Sequence, residues 1–176
     1  ERMLELSHVG TKENPIVIRA ADQARVVFRR PDARQNTFNL AGTQYLTIKG
    51  LEITGGSTGI RIYKQGKRMA KFVTLESLHV HHVGGPAVTC NHTGNLYEGM
   101  IFRRNHIHHT SGHGEAFYLG SNSGPNGKTQ AQFFHGIIEG NYLHNLDGPN
   151  VTQGDGIELK DGSWGNLVRD NVIHDV

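Results

Sequence analysis

Five segments of the 176-residue chain repeat one pattern: LTIKGLEIT (46–54), VTLESLHVH (73–81), the stretch ending FRRNHIHH (102–109), IIEGNYLHN (137–145) and LVRDNVIHD (167–175). Each is a short apolar-alternating strand, a break of two residues, and a second short strand. A third strand recurs between them: GIRIY (59–63), AVTCN (87–91), AFYLG (116–120) and GIELK (156–160). The equivalent positions Thr54, His81, His108, His144 and His174 are 27, 27, 36 and 30 residues apart by subtraction. Three strands per repeat with unequal insertions predict an all-β solenoid, a right-handed parallel β-helix of about five to six coils. Stacking at about 4.8 Å per coil would place Ile53, Val80, Ile107, Leu143 and Ile173 in one inward ladder. Ile60/Ile62, Val88/Cys90, Phe117/Leu119 and Ile157/Leu159 would form another.

Composition agrees and narrows the field. The 23 glycines are nearly twice the usual ~7% and follow no collagen period, so they mark tight turns. No stretch of about a dozen residues holds a helical period, and the connections are too short for crossover helices. No apolar run reaches the roughly 18 residues of a transmembrane helix, so no membrane span is expected. The single Cys90, expected in the core, excludes an intrachain disulfide framework. A net charge of +2 with no basic block gives no sign of nucleic-acid binding. Asn105, Asn141 and Asn171 follow the break and suit a left-handed turn or a stack of hydrogen bonds. The chain opens inside one coil and stops just after a strand, with no signal peptide in view. Residues 1–176 are therefore expected to be one β-helix domain, monomeric and part of a longer solenoid.

Alternation along the third strand sends the partners of the inward ladder to the outer face. One outward column carries Arg61, Thr89, Tyr118 and Glu158; a second carries Tyr63, Asn91, Gly120 and Lys160. Glu115 aligns with Asp155 just ahead of the strand, so neighbouring coils bring two carboxylates together near Glu158 and Asp161. The longest loops, 121–134 and 146–153, flank the same strand, as loops that wall a binding groove do. Clustered carboxylates suit a hard cation such as Ca²⁺, and Glu115, Asp155 and Glu158 are the candidate ligands. Lys160 is a base if its pKa is depressed; acidic neighbours raise it and a bound cation would counter them. A cation and a lysine together suit β-elimination on a uronate. The plainer alternative is a solvated ladder of charges. His113 sits at the groove's edge, and Tyr118 and Trp164 are aromatics of the kind that stack on sugar rings. His81, His108, His144 and His174, with His79 and His106, form a column on a different sheet. It reads first as a solvent-facing ladder copied with the repeat, although stacked imidazoles also suit a transition metal.

The whole chain resembles the right-handed parallel β-helix superfamily of pectate-lyase-like proteins. Within it, residues 155–171 (DGIELKDGSWGNLVRDN) are similar to a stretch of the calcium-dependent family-nine polysaccharide lyases. The resemblance implies Asp155 as a calcium ligand and Lys160 as the base, with Glu158 and Glu115 as further ligands. Arg61, Asn91, Tyr118, Trp164 and His113 are then candidate substrate contacts. It also implies a secreted or periplasmic enzyme that cleaves an acidic polysaccharide by calcium-assisted β-elimination. A competing likeness links Ser111-Gly112-His113-Gly114 and GIELK (156–160) to polygalacturonase-type hydrolases. Those need catalytic aspartates in the preceding coil, where this chain has Gly85-Pro86-Ala87, and Glu158 replaces their arginine. A non-catalytic glycan-binding or structural β-helix is the third reading.

Overall fold

The computed structural model describes residues 4–124, 126–127 and 130–176. Pro125, Lys128 and Thr129, in the loop expected to wall the groove, lie outside the described residues.

Three parallel sheets of six strands each make the solenoid, and no helix interrupts the described residues. The first sheet stacks Leu4–Leu6, Phe38–Ala41, Ile60–Tyr63, Val88–Cys90, Phe117–Leu119 and Ile157–Leu159. The second stacks Ile16–Arg19, Leu46–Lys49, Thr74–Glu76, Ile101–Arg103, Ile137–Glu139 and Leu167–Arg169. The third stacks Val27–Arg30, Glu52–Gly55, His79–His81, His106–His108, Tyr142–His144 and Val172–His174. This is the right-handed β-helix of about six coils that the repeat predicts. Two insertions add a strand that periodicity does not reveal: Leu96–Glu98 pairs with Gln132–Phe134. Each is three residues long, too short to carry an alternation signal.

Register matches both inward ladders: Ile53, Val80, Ile107, Leu143 and Ile173 stand rung on rung. So do Val88, Phe117 and Ile157 on the first sheet, with Cys90 buried among them. Phe102 and Phe117 stack at 5.3 Å across the interior and Phe133 joins them at 5.9 Å. Burying these side chains gives the coil its inward drive, about 25 cal/mol per Å² of apolar surface removed from water.

Five of the six coils turn on left-handed residues at the same place. Between the second and third sheets these are Gly50, Ser77, Arg104, Gly140 and Asp170. The asparagines follow them and are not themselves left-handed. A residue with positive φ leaves a gap in the backbone ladder, and the asparagine fills it. Asn105 donates its backbone N–H and its Nδ2 to Asn141 Oδ1, both at 3.0 Å. Asn141 does the same to Asn171 at 3.0 and 2.8 Å, and each Nδ2 also reaches a backbone carbonyl.

The outer face of the second sheet solves a different problem. Stacking would set like charges on like at each rung, and the chain alternates them instead: Lys49, Glu76, Arg103, Glu139, Arg169. Glu76, almost fully buried, contacts Lys49 at 2.9 Å and Arg103 at 2.7 Å, and also meets Arg104. Its hydrogen bond to Lys49, and those to the two arginines, outweigh desolvation and hold its pKa down to about 2.

Two stability predictions follow from these stacks. Asn141→Ala strands the Asn105 donors and is expected to cost roughly 2–4 kcal/mol in denaturant unfolding, whereas exposed Asn150→Ala is expected to be neutral. Glu76→Gln is expected to lower the melting temperature by a few degrees at pH 7. Its folded-state value lies below its ordinary 4.5, so this carboxylate stabilises fully above that pH and its contribution fades as pH falls toward about 2. Parent and variant melting curves should therefore converge on acidification.

Candidate functional site

The first sheet's outer face carries the predicted column in register: Arg61 beside Thr89, Thr89 beside Tyr118, Tyr118 beside Glu158. At rung spacing, Arg61 and Tyr118 are two rungs apart, roughly 10 Å. A cleft of about 420 Å³ opens over this column. Arg61, Asn91, His113, Tyr118 and Lys160 all line it, so five of the residues singled out in the sequence share one surface. Thr89 and Gln153 line it as well, without having been predicted as contacts. The cleft continues past Arg61 into a second depression of about 290 Å³ bounded by Asn36, Asn39, Tyr63 and His92. The result is a groove running along the stack, open to an extended chain.

Loop ends fix the walls. On one side Gln153 and Gly154 donate their N–H groups to the His113 carbonyl at 3.1 and 2.8 Å, tying two coils' turns together beneath that ring. On the other side Asp161 accepts the Ser123 N–H at 2.9 Å and anchors the start of the long loop. Gly120 has φ of +87°, and a Cβ there would sit 3.2 Å from Lys160 Cβ, so glycine leaves room for the lysine stem.

Lys160 directly follows the strand that carries Glu158, two positions on, and continues its alternation on the same face. They form a direct ion pair, and Lys160 Nζ lies 4.8 Å from the centre of the Tyr118 ring. Burial pushes the Lys160 ammonium down, but the Glu158 hydrogen bond and the charges of Glu158, Tyr118 and Glu115 outweigh it and hold the pKa above the usual lysine value. Burial raises the Tyr118 phenol, and the Lys160 charge offsets part of that rise. At neutral pH both groups hold their protons in the free protein.

Four expected residues, Glu115, Trp164, Asp155 and Glu158, are not part of the groove lining. Glu115 is in register with Asp155, as the alignment implies: the Ala116 N–H donates to the Asp155 carbonyl at 3.0 Å. It nevertheless has the parity of Phe117 and Leu119, faces inward and is 0% exposed, with no hydrogen-bond partner on either carboxylate oxygen. Burial, reinforced by Glu158 and Asp155, raises its pKa. Trp164 stacks on Phe134 at 5.2 Å and meets the His135 ring at 75°, outside the groove lining. Aromatic type alone carries no direction, and its bridge to Phe134 was invisible in sequence. The proposed calcium ligands also stay apart. Glu115 is enclosed, Glu158 is held by Lys160, and Asp155 is exposed. Among the described residues, the acidic and histidine groups whose ligand atoms gather within 4.8 Å lie on the third sheet.

Residues 36–176 match the family described as the right-handed β-helix region. No curated protein matches the chain by sequence. The chain is similar to the crystal structure of an alginate lyase from Paenibacillus sp. str. FPU-7, with a TM-score of 0.75 and 25% identity. That likeness covers 96% of this chain and 54% of the lyase, so the chain spans about half the length of that protein. The crystal structure of pectate lyase Pel9A is a weaker match, with a TM-score of 0.44 and 12% identity over 96% of this chain and 64% of that one.

The Glu158–Lys160 contact has a measurable consequence. In Glu158→Gln the carboxylate no longer opposes burial, so Lys160 is expected to titrate at lower pH than in the parent. NMR of the lysine side-chain signals across a pH series reads this shift, with Lys160→Arg supplying the assignment.

Proposed function

Taking as premise that the chain belongs to the right-handed β-helix family, we propose that it cleaves an acidic, uronate-containing polysaccharide by β-elimination. The observation that carries this reading is the Tyr118–Lys160–Glu158 cluster, set in a groove that also presents Arg61. Similarity to an alginate lyase makes alginate the first substrate to try.

Elimination asks for three things: the uronate carboxylate neutralised, the proton beside it removed, and the leaving oxygen protonated. Arg61 supplies a cation two rungs from Tyr118, and Asn91 supplies amide donors on the same wall. Lys160 is the base. A proton must first leave its ammonium, and Glu158 in contact with it is the acceptor. A polymer that excludes water from the groove favours the neutral pair over the ion pair. The neutral amine then takes the proton from C5 of the uronate. A double bond forms between C4 and C5, the C4–O4 bond breaks, and Tyr118 donates its phenolic proton to O4. His113, at the groove's rim, orients the sugar.

Calcium enters no step. Asp155, Glu158 and Glu115 do not fit a calcium site as they stand, because their oxygens do not gather and one Glu158 oxygen is held by Lys160. The enclosure of Glu115 likewise removes the carboxylate pair on which a hydrolase would rely.

Ultraviolet absorbance of the unsaturated uronate product, on alginate, pectate and glycosaminoglycans in turn, tests the proposal. The expected result is a rise with at least one polymer that persists in chelator and falls by at least about 100-fold in Lys160→Ala and Tyr118→Phe. A rise abolished by chelator and restored by Ca²⁺ would overturn the metal-free step. New reducing ends without absorbance would overturn elimination.

A further inference from the structure

The third sheet faces away from the groove sheet's chemistry and carries a column of imidazoles in strict register. His79 stands beside His106, and His81 beside His108. The next rung sets Tyr142 beside His106 and His144 beside His108. The rings of His79 and His106 stack at 4.8 Å and 8°, and those of His81 and His108 at 5.2 Å and 9°. Stacking alone is what a repeated sequence would produce. The nitrogen positions are not a simple copy of it. His79 Nε2 lies 2.8 Å from His108 Nε2, a diagonal contact between neighbouring rungs. His106 Nε2 lies 2.8 Å from His144 Nε2 in the same sense. The ligand nitrogens of His79, His106 and His108 are all within 4.8 Å of one another, and all three side chains are half-buried.

We infer that His79, His106 and His108 form a binding site for one divalent transition cation of the zinc, copper and nickel class. Three imidazoles with no carboxylate select those borderline cations over Ca²⁺ or Mg²⁺, and three histidines with an open position complete a four-coordinate site with water. His144 borders the site through His106.

Two further features prepare the ligands. The residue after each of these strand ends is left-handed (His82, His109, Asn145 and Asp175 have φ of 51 to 53°), which folds its side chain back onto the strand-end histidine. His108 Nδ1 thus meets His109 Nδ1 at 2.6 Å, and His81 Nδ1 meets His82 Nδ1 at 2.8 Å. A partner on Nδ1 fixes the ring and leaves Nε2 for the column, the outer-shell arrangement typical of metal-bound histidine. Burial, and then the neighbouring imidazoles, hold His108 down to about 3 and lower His79 and His106 as well.

A second group, Glu52 with His79 and His81, shares one ligand with the first. Its carboxylate is already held by Arg25 through two hydrogen bonds at 2.8 and 2.9 Å. The all-histidine group is therefore the better site. Its ligands come from two adjacent strands, so a bound cation would clamp two coils together and add to the stability of the folded stack.

Calorimetric titration of the full chain with Zn²⁺, and the visible spectrum with Co²⁺, test this assignment. The expected result is one equivalent bound, a tetrahedral Co²⁺ spectrum, and a higher melting temperature with Zn²⁺ but not with Ca²⁺. His108→Asn and His106→Asn should each weaken binding by at least about 100-fold, and His109→Ala by roughly 10–100-fold. His81→Asn and the exposed His8→Ala should leave it within about twofold. Melting curves of the metal-free variants show that each is folded. Binding that survives His108→Asn and His106→Asn, or that is lost in His81→Asn instead, would overturn the assignment. So would a stoichiometry or affinity no better than that of scattered surface histidines.

Discussion

Backbone hydrogen bonds between successive coils hold every residue directly above its equivalent, and the rest of the molecule is organised around that spacing. A rung of about 4.8 Å is too short for neighbouring side chains to ignore each other. Each column must therefore consist of groups that tolerate close stacking. Aliphatic and aromatic side chains do so in the interior, where Ile53, Val80, Ile107 and Leu143 repeat with little change. Asparagines do so at the first corner, because an amide both donates and accepts and can bond to a copy of itself. Like charges repel at this spacing, and from Lys49 to Arg169 the second sheet alternates their sign, although Arg19 stands beside Lys49 at its start. Imidazole rings can stack on one another, and the third sheet uses them.

The groove column departs from this logic. Arg61, Thr89, Tyr118 and Glu158 are four different chemistries on four successive rungs. Nothing in the stacking geometry asks for such a set, and no self-complementary interaction runs along it. The insertions that lengthen the repeat also lie on its two sides, and the contacts of Gln153 and Gly154 to His113 and of Ser123 to Asp161 fix them there. Repetition on three faces supports one face where the sequence varies. The Glu158–Lys160 pair is the energetic centre of that face. Two opposite charges held close with little water set the lysine's resting proton and give it somewhere to go.

The imidazole column occupies the opposite situation. Its rungs repeat, yet the diagonal contacts from His79 to His108 and from His106 to His144 give it a local geometry that repetition does not supply. Rings stacked at 8° and 9° nevertheless bring the Nε2 atoms of diagonal neighbours to 2.8 Å. A groove suited to a polyanion and a separate cluster suited to a borderline transition cation thus sit on two faces of one solenoid.

The sequence by itself determined the coil, the two inward ladders, the register of the groove column and the gathering of Arg61, Asn91, His113, Tyr118 and Lys160. All of these follow from period and alternation, which are properties of the backbone and can be counted along the chain. Tertiary structure decided what depends on direction within a turn or on contact across rungs. Glu115 lies just outside a strand, where alternation is easily misjudged, and only the fold shows that it faces inward and is enclosed. The left-handed residue stands one place before each asparagine, a shift that residue preference alone did not resolve. Trp164 turned to Phe134 because an unpredicted extra strand offered it a ring to stack on. Glu158 contacts Lys160 directly, and only the fold shows it, since composition tells that two charges are near but not which of them pair. Periodicity fixes where a residue stands on the stack; the packing around it decides which way the side chain goes and what it touches.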